Sequence, residues 1–317
     1  MKAVVIDAAR NLVWTGVPDP VRKPDEIVIA VRAAAVNRAD LMQRAGNYPP
    51  PPGWPEWPGL EVAGTVAEAP AASRWRAGDR VCALLGGGGY AERVAVPADM
   101  ALPLPDGLDW TAAAAIPEVW ATAYLNLVIE AGMKAGDTVL VQAGASGVGL
   151  AAIQLARKYG AKVITTVGSA EKAAFVKTLG ADVVVNRRTE ALGAVLEAHP
   201  VDIALDCVGG PQMGEHAAKL APWGRWISIA ALAGARTELD IVALYRKRIR
   251  IIGSTLRSRT SAMKAEILKR LETELWQDFA AGTIRSILYR TLPITAAAEA
   301  HAILERNENI GKVVLTV

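Results

Sequence analysis

The stretch TVLVQAGASGVGLAAIQLARKYGA, residues 138–161, constrains the fold of this 317-residue chain most strongly. A β-branched apolar strand, expected to end at Ala143, runs into a glycine-rich turn and then into a helix. Gly147 and Gly149 permit close backbone approach, and the N–H groups at the start of a helix lack partners within it. This combination offers a site for an anion such as the pyrophosphate of a dinucleotide.

The turn matches the dinucleotide fingerprint G-x-G-x-x-G only in part, because its middle position holds serine. Gly144, Ser146 and Gly149 fill the three glycine places. A hydrolase nucleophile elbow, G-x-S-x-G, would need glycine where Val148 stands. Ser146 is therefore assigned to phosphate contact or to helix capping. The candidate pyrophosphate site comprises Gly144, Ser146, Gly147, Val148 and Gly149.

Strands alternate with helices after about residue 118. Helical stretches at 148–159 and 170–179 follow the first two strands. The strand-like runs are nearly continuous in apolar character, as in sheets buried on both faces. They lie at 138–143, 161–167, 181–186, 201–209, 224–230 and 248–254. Six strands with crossover helices predict an α/β fold with a doubly wound parallel sheet of the Rossmann type.

The chain before residue 118 differs in character. Pro and Gly separate its short β-like runs, which predicts an all-β or barrel-like unit. These runs lie at 27–35, 60–67, 80–85 and 90–96. After Thr255 the pattern turns helical, and the final IGKVVLTV is one strand more than the parallel sheet needs. We therefore expect residues 1–117 to form a first domain, 118–256 a nucleotide-binding domain, and 257–317 to return to the first.

Composition and charge exclude several classes of function. The net charge of +3 is scattered apart from the basic stretch RKRIR at 246–250, which lacks interleaved aromatic residues, so no nucleic-acid partner is expected. Two cysteines, Cys82 and Cys207, make no disulfide framework, which favours a reducing, cytoplasmic compartment. The chain starts on strand-like sequence and has no apolar run of about 18 residues, so neither a signal peptide nor a membrane span is expected.

The end of the second strand of the parallel sheet indicates which dinucleotide binds. An NAD site usually carries Asp or Glu there to hold the ribose 2′-hydroxyl, but this strand ends in VGS. Gly168 and Ser169 form this tip, and Lys172, Arg187 and Arg188 are expected beside it. These cations suit a 2′-phosphate, although Lys172 and Arg188 also fit a purely solvated role. The sequence favours NADPH over NADH.

Several long sequence motifs, spread along nearly the whole chain, carry a resemblance to a known family. They are NRADLMQRAGNYPPPPG, GLEVAGTV, LLGGGGYAERVAVP, AAIPEVWATAY, AGASGVG, LDCVGG, LRSR and NENIGKVVL. The chain resembles zinc-free medium-chain dehydrogenases/reductases of the quinone oxidoreductase, or zeta-crystallin-like, family, and most closely their tumour-suppressor-inducible type. The resemblance implies a GroES-like catalytic domain built from both chain ends, a Rossmann domain, bound NADPH and hydride transfer to a quinone. It also implies a homodimer joined through edge strands of the Rossmann sheets.

Zinc-bearing relatives provide the decisive comparison within that superfamily. They present Cys in the stretch matching residues 37–40, His in the stretch matching 59–61, and a lobe with four close cysteines. This sequence has none of these ligands, and His199, His216 and His301 are far apart along the chain. No metal site is expected, so the substrate must react without one. A quinone meets that requirement because its carbonyls are already strongly electrophilic.

Asn37, Asp40 and Tyr48 are the candidate catalytic residues. Asn37 follows a strand and is expected to hydrogen-bond the nicotinamide ribose or the substrate oxygen, while Asp40 fixes the loop. Family match makes Tyr48 a proton donor or stacking surface, although a tyrosine beside prolines is as often a packing residue. The adjoining PPPPGWPEWP is interpreted as a rigid loop rather than a polyproline recognition ligand.

Further cofactor contacts are expected from family match or from strand-end position. Family match indicates Thr122, Leu256, Arg257 and Lys312. Position at the carboxyl ends of the fourth and fifth strands indicates Val208, Gly209, Ala230 and Leu232. Ordinary strand-end packing is the alternative for each. The glycines at 86–89 precede a strand and no helix, so they are interpreted as a tight bend rather than a phosphate cradle.

Two other functions remain open from the sequence. The same scaffold and cofactor support reduction of α,β-unsaturated carbonyls, where an enolate needs a proton and an acid such as Tyr48 matters more. A crystallin-like nucleotide-binding protein without catalysis is the other. Neither the particular quinone nor the choice between one- and two-electron transfer follows from the sequence.

Overall fold

The computed structural model describes all 317 residues, and the chain divides into two compact units. Unit 1 comprises Met1–Ala121 and Leu256–Val317, and unit 2 comprises Thr122–Thr255. No helix in either unit combines the length and the apolar character needed to cross a membrane. Each unit is described separately below.

The first section of the chain is mostly β. Its elements are β1 (Lys2–Ile6), β2 (Leu12–Gly16), β3 (Glu26–Ala35), α1 (Arg38–Arg44), β4 (Glu61–Glu68), β5 (Arg80–Leu84), β6 (Arg93–Pro97), β7 (Ala101–Pro103), α2 (Trp110–Ala114) and α3 (Pro117–Tyr124). A π-helical segment, Leu125–Glu130, continues from α3.

Strands and helices then alternate. The elements are β8 (Thr138–Val141), α4 (Gly147–Lys158), β9 (Lys162–Val167), α5 (Ala170–Thr178), β10 (Val183–Asn186), α6 (Leu192–Ala198), β11 (Ile203–Asp206), α7 (Met213–Ala218), β12 (Arg225–Ser228), α8 (Ile241–Lys247) and β13 (Arg250–Gly253). The last section holds α9 (Ser261–Ala281), β14 (Leu288–Pro293), α10 (Ala297–Glu305) and β15 (Lys312–Thr316).

Unit 1 is built on a seven-stranded sheet in which β14-β15-β3-β4-β5-β7 are neighbours in that order and β6 also pairs with β3. The C-terminal strand β15 pairs antiparallel with β3, with Val314 opposite Ala35 and Thr316 opposite Ala33. This register brings the start of β15 to the end of β3. Lys312 consequently lies beside the segment that connects β3 to α1.

Unit 2 contains a six-stranded sheet with the order β10-β9-β8-β11-β12-β13, and every pairing in it is parallel. Its core is apolar on both faces, as the continuous hydrophobic runs predicted, and includes the fully buried Leu140 and Trp226. The chain reverses its winding direction between the adjacent strands β8 and β11, where sheets of this kind bind ligands. The predicted α/β fold class, a doubly wound parallel sheet with a β-rich unit, is confirmed.

The glycine-rich turn after β8 departs from the expected boundaries. The strand ends at Val141 rather than Ala143, because Ala143 adopts a left-handed conformation with φ of 55°. A Cβ atom at Gly144 would collide with the Thr165 side chain, and one at Gly149 would lie 2.5 Å from the Ala143 carbonyl oxygen. Close packing of turn, helix and neighbouring strand therefore requires glycine at both positions.

Candidate active site

Lys312 organises the candidate site in unit 1. Its side chain is 4% exposed, and its ammonium nitrogen lies 2.7 Å from the Val36 carbonyl oxygen, 2.6 Å from Asn37 Oδ1 and 2.8 Å from Glu61 Oε1. An ammonium group has three protons, and here each has an acceptor. Lys312, expected at a cofactor position, is thus committed to a buried network that we call the Lys312 cluster: Lys312, Asn37 and Glu61.

The side-chain amide of Asn37 is also held within this unit. Asn37 Nδ2 donates to Glu61 Oε1 at 3.0 Å and to the Ala35 carbonyl oxygen at 3.3 Å. Both amide protons are used, and Oδ1 accepts from Lys312. Any hydrogen bond from Asn37 to a ribose or substrate, as expected from the sequence, has to be accepted by the second lone pair of Oδ1.

Asp40 ties the start of α1 to the loop before β4. The carboxylate is fully buried and accepts from the backbone N–H groups of Asn37, at 2.8 Å, and Gly59, at 2.9 Å. The Tyr90 hydroxyl donates to it at 3.2 Å and lies 3.3 Å from Nε2 of the buried His301. Burial raises the pKa of Asp40 and lowers that of His301 to about 3, so the imidazole is neutral at pH 7.

Glu118 joins the Lys312 cluster from α3. Its backbone N–H donates to the second carboxylate oxygen of Glu61 at 2.8 Å. Unlike Glu61 and Asp40, which have no accessible surface, Glu118 keeps part of its surface accessible. Desolvation by its surroundings and the negative charge of Glu61 raise the pKa of Glu118 to about 8, against the opposing charges of Lys312 and Lys264. Glu118 therefore carries a proton at pH 7.

Tyr48 is positioned by Arg257. The guanidinium donates to the carbonyl oxygens of Tyr48 and Gly86, both at 2.9 Å, and to Gln43 Oε1 at 2.6 Å. It also lies over the Tyr48 ring, 5.0 Å from the centroid, within the range of a cation–π interaction. Tyr48 is half-buried, and burial followed by the charge of Glu118 raises the pKa of its phenol. Arg257, expected to contact cofactor, thus clamps the loop that carries Tyr48.

The proline-rich loop packs against the glycine-rich segment 86–89. A Cβ atom at Gly86 would lie 2.6 Å from the Trp54 ring, and Trp57 Nε1 donates to the Gly88 carbonyl oxygen at 3.0 Å. Gly88 has a φ of 89°, which favours glycine. These glycines form a bend fitted to tryptophan side chains, in line with the tight-bend interpretation.

The glycine turn of unit 2 begins the 12-residue helix α4. Ser146 is its N-cap, and Ser146 Oγ accepts from the Gly149 N–H at 3.0 Å. Of the two roles considered for Ser146, this hydrogen bond is helix capping. The remaining N–H groups at the start of α4, including those of Gly147 and Val148, are the donors that suit a pyrophosphate.

Cations gather at the ends of β9 and β10. The Arg187 guanidinium covers Gly168, where a Cβ atom would lie 3.0 Å from either terminal nitrogen. Ser169 caps α5 by accepting from the Lys172 N–H at 3.2 Å. Burial and then the charge of Arg187 lower the pKa of Lys172, with a smaller effect from Arg188. Like charges held this close suit a phosphate dianion, so the residues fit a 2′-phosphorylated dinucleotide.

The other candidate cofactor residues differ in their surroundings. Asp206 accepts from the N–H groups of Val208, at 2.7 Å, and Gly209, at 3.1 Å, which shapes the loop after β11. Leu232 is 54% exposed after β12. Three candidates have less accessible surface: Ala230 is half-buried and Thr122 and Leu256 are buried.

Sequence reasoning missed several members of the unit 1 site. The sequence does carry a signal for Glu61, because an acid at the start of the apolar strand EVAGTV needs a partner when it is buried. Glu118 resembles an ordinary acid in the first turn of a helix, and only tertiary structure reveals its neighbours. Gln43, Lys264 and Tyr90 likewise carry no local signal.

This chain matches two known family models and several proteins of similar length. Residues 23–106 match the alcohol dehydrogenase GroES-like domain, and residues 147–273 match the zinc-binding dehydrogenase family. The human protein called quinone oxidoreductase is 32% identical over 305 residues, covering 93% of this chain and 90% of that protein. The crystal structure of the quinone oxidoreductase from Thermus thermophilus, also determined with NADPH, is 32% identical with a TM-score of 0.83 and full coverage of both chains.

Some relatives are much longer than this chain. The highly reducing polyketide synthase cm3B of Cordyceps militaris is 31% identical over 312 residues. The match covers 93% of this chain but only 12% of that synthase.

Zinc is named in the description of one matched family model. No group of three or more His, Cys, Asp or Glu side chains is arranged to hold a metal ion. Glu61 is instead paired with the Lys312 ammonium, which also donates a hydrogen bond to Asn37 Oδ1.

Replacing Lys312 with methionine tests the role of the ammonium in the Lys312 cluster. The substitution keeps most of the side-chain volume but leaves the buried Glu61 carboxylate without its cation. We expect the free energy of unfolding to fall by about 3–5 kcal/mol, measured by urea denaturation. Lys23→Met is the control, because its ammonium is 3.0 Å from Glu26 but its side chain is 62% exposed, and it should cost less than about 1 kcal/mol. Equal losses would contradict the assignment.

Proposed function

Because the chain belongs to the medium-chain dehydrogenase/reductase superfamily, we propose that it is a zinc-independent, NADPH-dependent quinone oxidoreductase. The observation that carries this proposal is the Lys312 cluster. Where a metal-dependent enzyme needs converging ligands, this chain has an amide, a carboxylate and an ammonium that satisfy one another. Similarity to proteins described as quinone oxidoreductases, human and bacterial, supports the same substrate class.

A quinone does not need a metal to polarise its carbonyl group. The bound NADPH would supply hydride. The protein then contributes mainly by holding the reactants in a water-poor site, which is catalysis by positioning. In this proposal Asn37 and Asp40 fix the loop after β3, and Arg257 fixes the Tyr48 ring as a surface against which a planar substrate stacks.

We propose that the phosphate groups of NADPH bind in unit 2. Gly144 to Gly149 would receive the pyrophosphate at the start of α4. Lys172, Arg187 and Arg188 would pair with the 2′-phosphate. The proposed setting is a reducing, cytoplasmic compartment, consistent with both cysteines being free thiols.

Reduction of α,β-unsaturated carbonyls is the second candidate function. One observation favours it: two residues whose side chains can carry a proton, Tyr48 and Glu118, keep accessible surface. An enolate formed by hydride addition needs such a group, whereas a quinone depends on it less.

We also propose a homodimer joined through β13. This strand is an edge of the parallel sheet, and Ile251 on it is 37% exposed. The preceding helix α8 exposes Ile241 and Tyr245, each at 63%. An unpaired edge beside exposed apolar side chains suits pairing with the same edge of a second copy.

A screen of NADPH oxidation with quinones and enones tests the function. We expect kcat/KM for quinones to exceed that for enones at least about tenfold, and chelator treatment to leave the rate unchanged, because a quinone carbonyl needs no metal to polarise it. Faster turnover of enones would support the second candidate. NADPH binding without turnover of either class would indicate a nucleotide-binding protein.

Replacing Lys172 with alanine tests the 2′-phosphate site. Losing one charge-assisted hydrogen bond, worth about 1.5–3 kcal/mol, should weaken NADPH binding about 10- to 100-fold and leave NADH binding unchanged. Titration calorimetry measures both. Lys177→Ala, on the same helix but exposed, is the matched control. An unchanged preference for NADPH over NADH in Lys172→Ala would remove the role proposed for this lysine.

Replacing Ile251 with lysine tests the dimer. Sedimentation velocity should give twice the chain mass for the unsubstituted protein and the chain mass for Ile251→Lys, since a charge on an edge strand opposes pairing. Val21→Lys, at a position 90% exposed in unit 1, should remain dimeric. A monomeric unsubstituted protein would refute the proposed assembly.

A further inference from the structure

The ionisable groups around the Lys312 cluster differ in their access to a ligand. Asp40, Glu61 and Tyr90 have no accessible surface, so none of them can touch a substrate. Glu118 and Tyr48 both keep part of their surface accessible. Among the acidic side chains of this part of unit 1, Glu118 and Tyr48 are therefore the two that a substrate can reach.

The backbone of Glu118 is hydrogen-bonded to β4. Glu118 is the second residue of α3, and its backbone N–H is fixed by Glu61 Oε2 at 2.8 Å. Glu61 is in turn fixed by Lys312 and Asn37 through its other oxygen. The backbone of Glu118 is thus anchored to the same network that orients Asn37.

Charged and titratable groups influence Glu118 from several elements. Two carboxylates disfavour its ionisation, Glu61 on β4 and Asp40 on α1, while two ammonium groups favour it, Lys312 on β15 and Lys264 on α9. Electrostatic interaction also links Glu118 to the Tyr48 phenol. The Arg257 guanidinium also interacts electrostatically with Glu118. Desolvation is the largest effect and raises the pKa in the same direction as the two carboxylates, so the protonated form prevails at neutral pH.

The two accessible groups differ in acidity. Glu118 has a pKa of about 8, close to the pH at which a general acid works best. The pKa of Tyr48 is raised above its ordinary value of 10.0 by burial and by Glu118, which makes its phenol a poorer donor. Glu118 is also the accessible acid whose backbone is hydrogen-bonded to the Lys312 cluster, so its position and its acidity favour the same group.

We propose that the Glu118 carboxyl, rather than the Tyr48 phenol, donates the proton that the reduced substrate takes up. This inference rests on the proposed function. A quinone that accepts hydride from NADPH becomes a hydroquinone anion. The O–H bond of Glu118 breaks, an O–H bond forms on the anionic substrate oxygen, and the neutral hydroquinone leaves. Glu118 recovers its proton from water, and Tyr48 remains the stacking surface.

Replacing Glu118 with glutamine tests this assignment, because it keeps the side-chain size and the backbone anchor but removes the acidic proton. The pH profile of kcat/KM for NADPH oxidation should be flat below pH 8 in the unsubstituted protein and fall above it. In Glu118→Gln we expect a rate lower by about 10²-fold and no alkaline limb near pH 8, with unchanged NADPH binding. Glu266→Gln, an exposed glutamate on α9, is the matched control and should keep the full profile.

Tyr48→Phe separates the two donors. The Tyr48→Phe variant should still show the fall in kcat/KM near pH 8, because Glu118 is present in it. This expectation holds whether or not the substitution changes KM. Loss of the alkaline limb in Tyr48→Phe, or its persistence in Glu118→Gln at full rate, would overturn the inference while leaving the proposed function intact. An unsubstituted protein that oxidises NADPH with neither quinones nor enones would overturn both.

Discussion

The ion pair between Lys312 and Glu61 is the interaction on which the geometry of unit 1 depends. Burial of two opposite charges is favourable only when each of their polar atoms has a hydrogen-bond partner. Here the ammonium has three oxygen acceptors, and both Glu61 oxygens accept hydrogen bonds. The pair joins the last strand of the chain to β4, the end of β3 and the start of α3. Residues separated by up to 276 positions are thereby held around Asn37.

The two units position their candidate site residues by different physical means. In unit 2 the backbone carries the main role: Gly144 and Gly149 allow the turn, strand and helix to pack closely, and Ser146 caps the helix that follows. In unit 1 side-chain charges carry it, because a buried ammonium and guanidinium fix loops that have little regular structure. Substitutions in the glycine turn of unit 2 therefore act through steric overlap, whereas substitutions in the charged network of unit 1 act by leaving a buried charge unpaired.

Local patterns predicted the parallel sheet well and the unit 1 site only in part. Apolar runs and glycine spacing are short-range signals, so the strands, the turn and the cations beside Gly168 follow from the sequence. The strand end at Val141 was misplaced because the left-handed conformation of Ala143 depends on tertiary packing. Family match indicates Arg257 and Lys312 as cofactor contacts, yet the partners of their charged groups lie more than 170 residues away along the chain, and no local pattern reveals them.

The charge that stabilises the cluster also determines where a proton is held. Glu61 is neutralised by Lys312 on one oxygen, but its charge still disfavours ionisation of Glu118. Below pH 4.5 Glu118 is protonated in both the folded and the unfolded chain. Between about 4.5 and 8 only the folded chain keeps the proton, so unfolding releases it and stability falls as pH rises.

Above pH 8 this loss of stability is complete, because Glu118 is then ionised in both states. A carboxyl with its ordinary pKa would avoid the loss but would hold almost no proton at neutral pH. The raised pKa of Glu118 therefore lowers the stability of the folded chain near neutral pH and leaves an accessible acid that still carries its proton. A purely structural acid at the start of a helix would gain from ionisation instead, since the helix dipole favours a negative charge there.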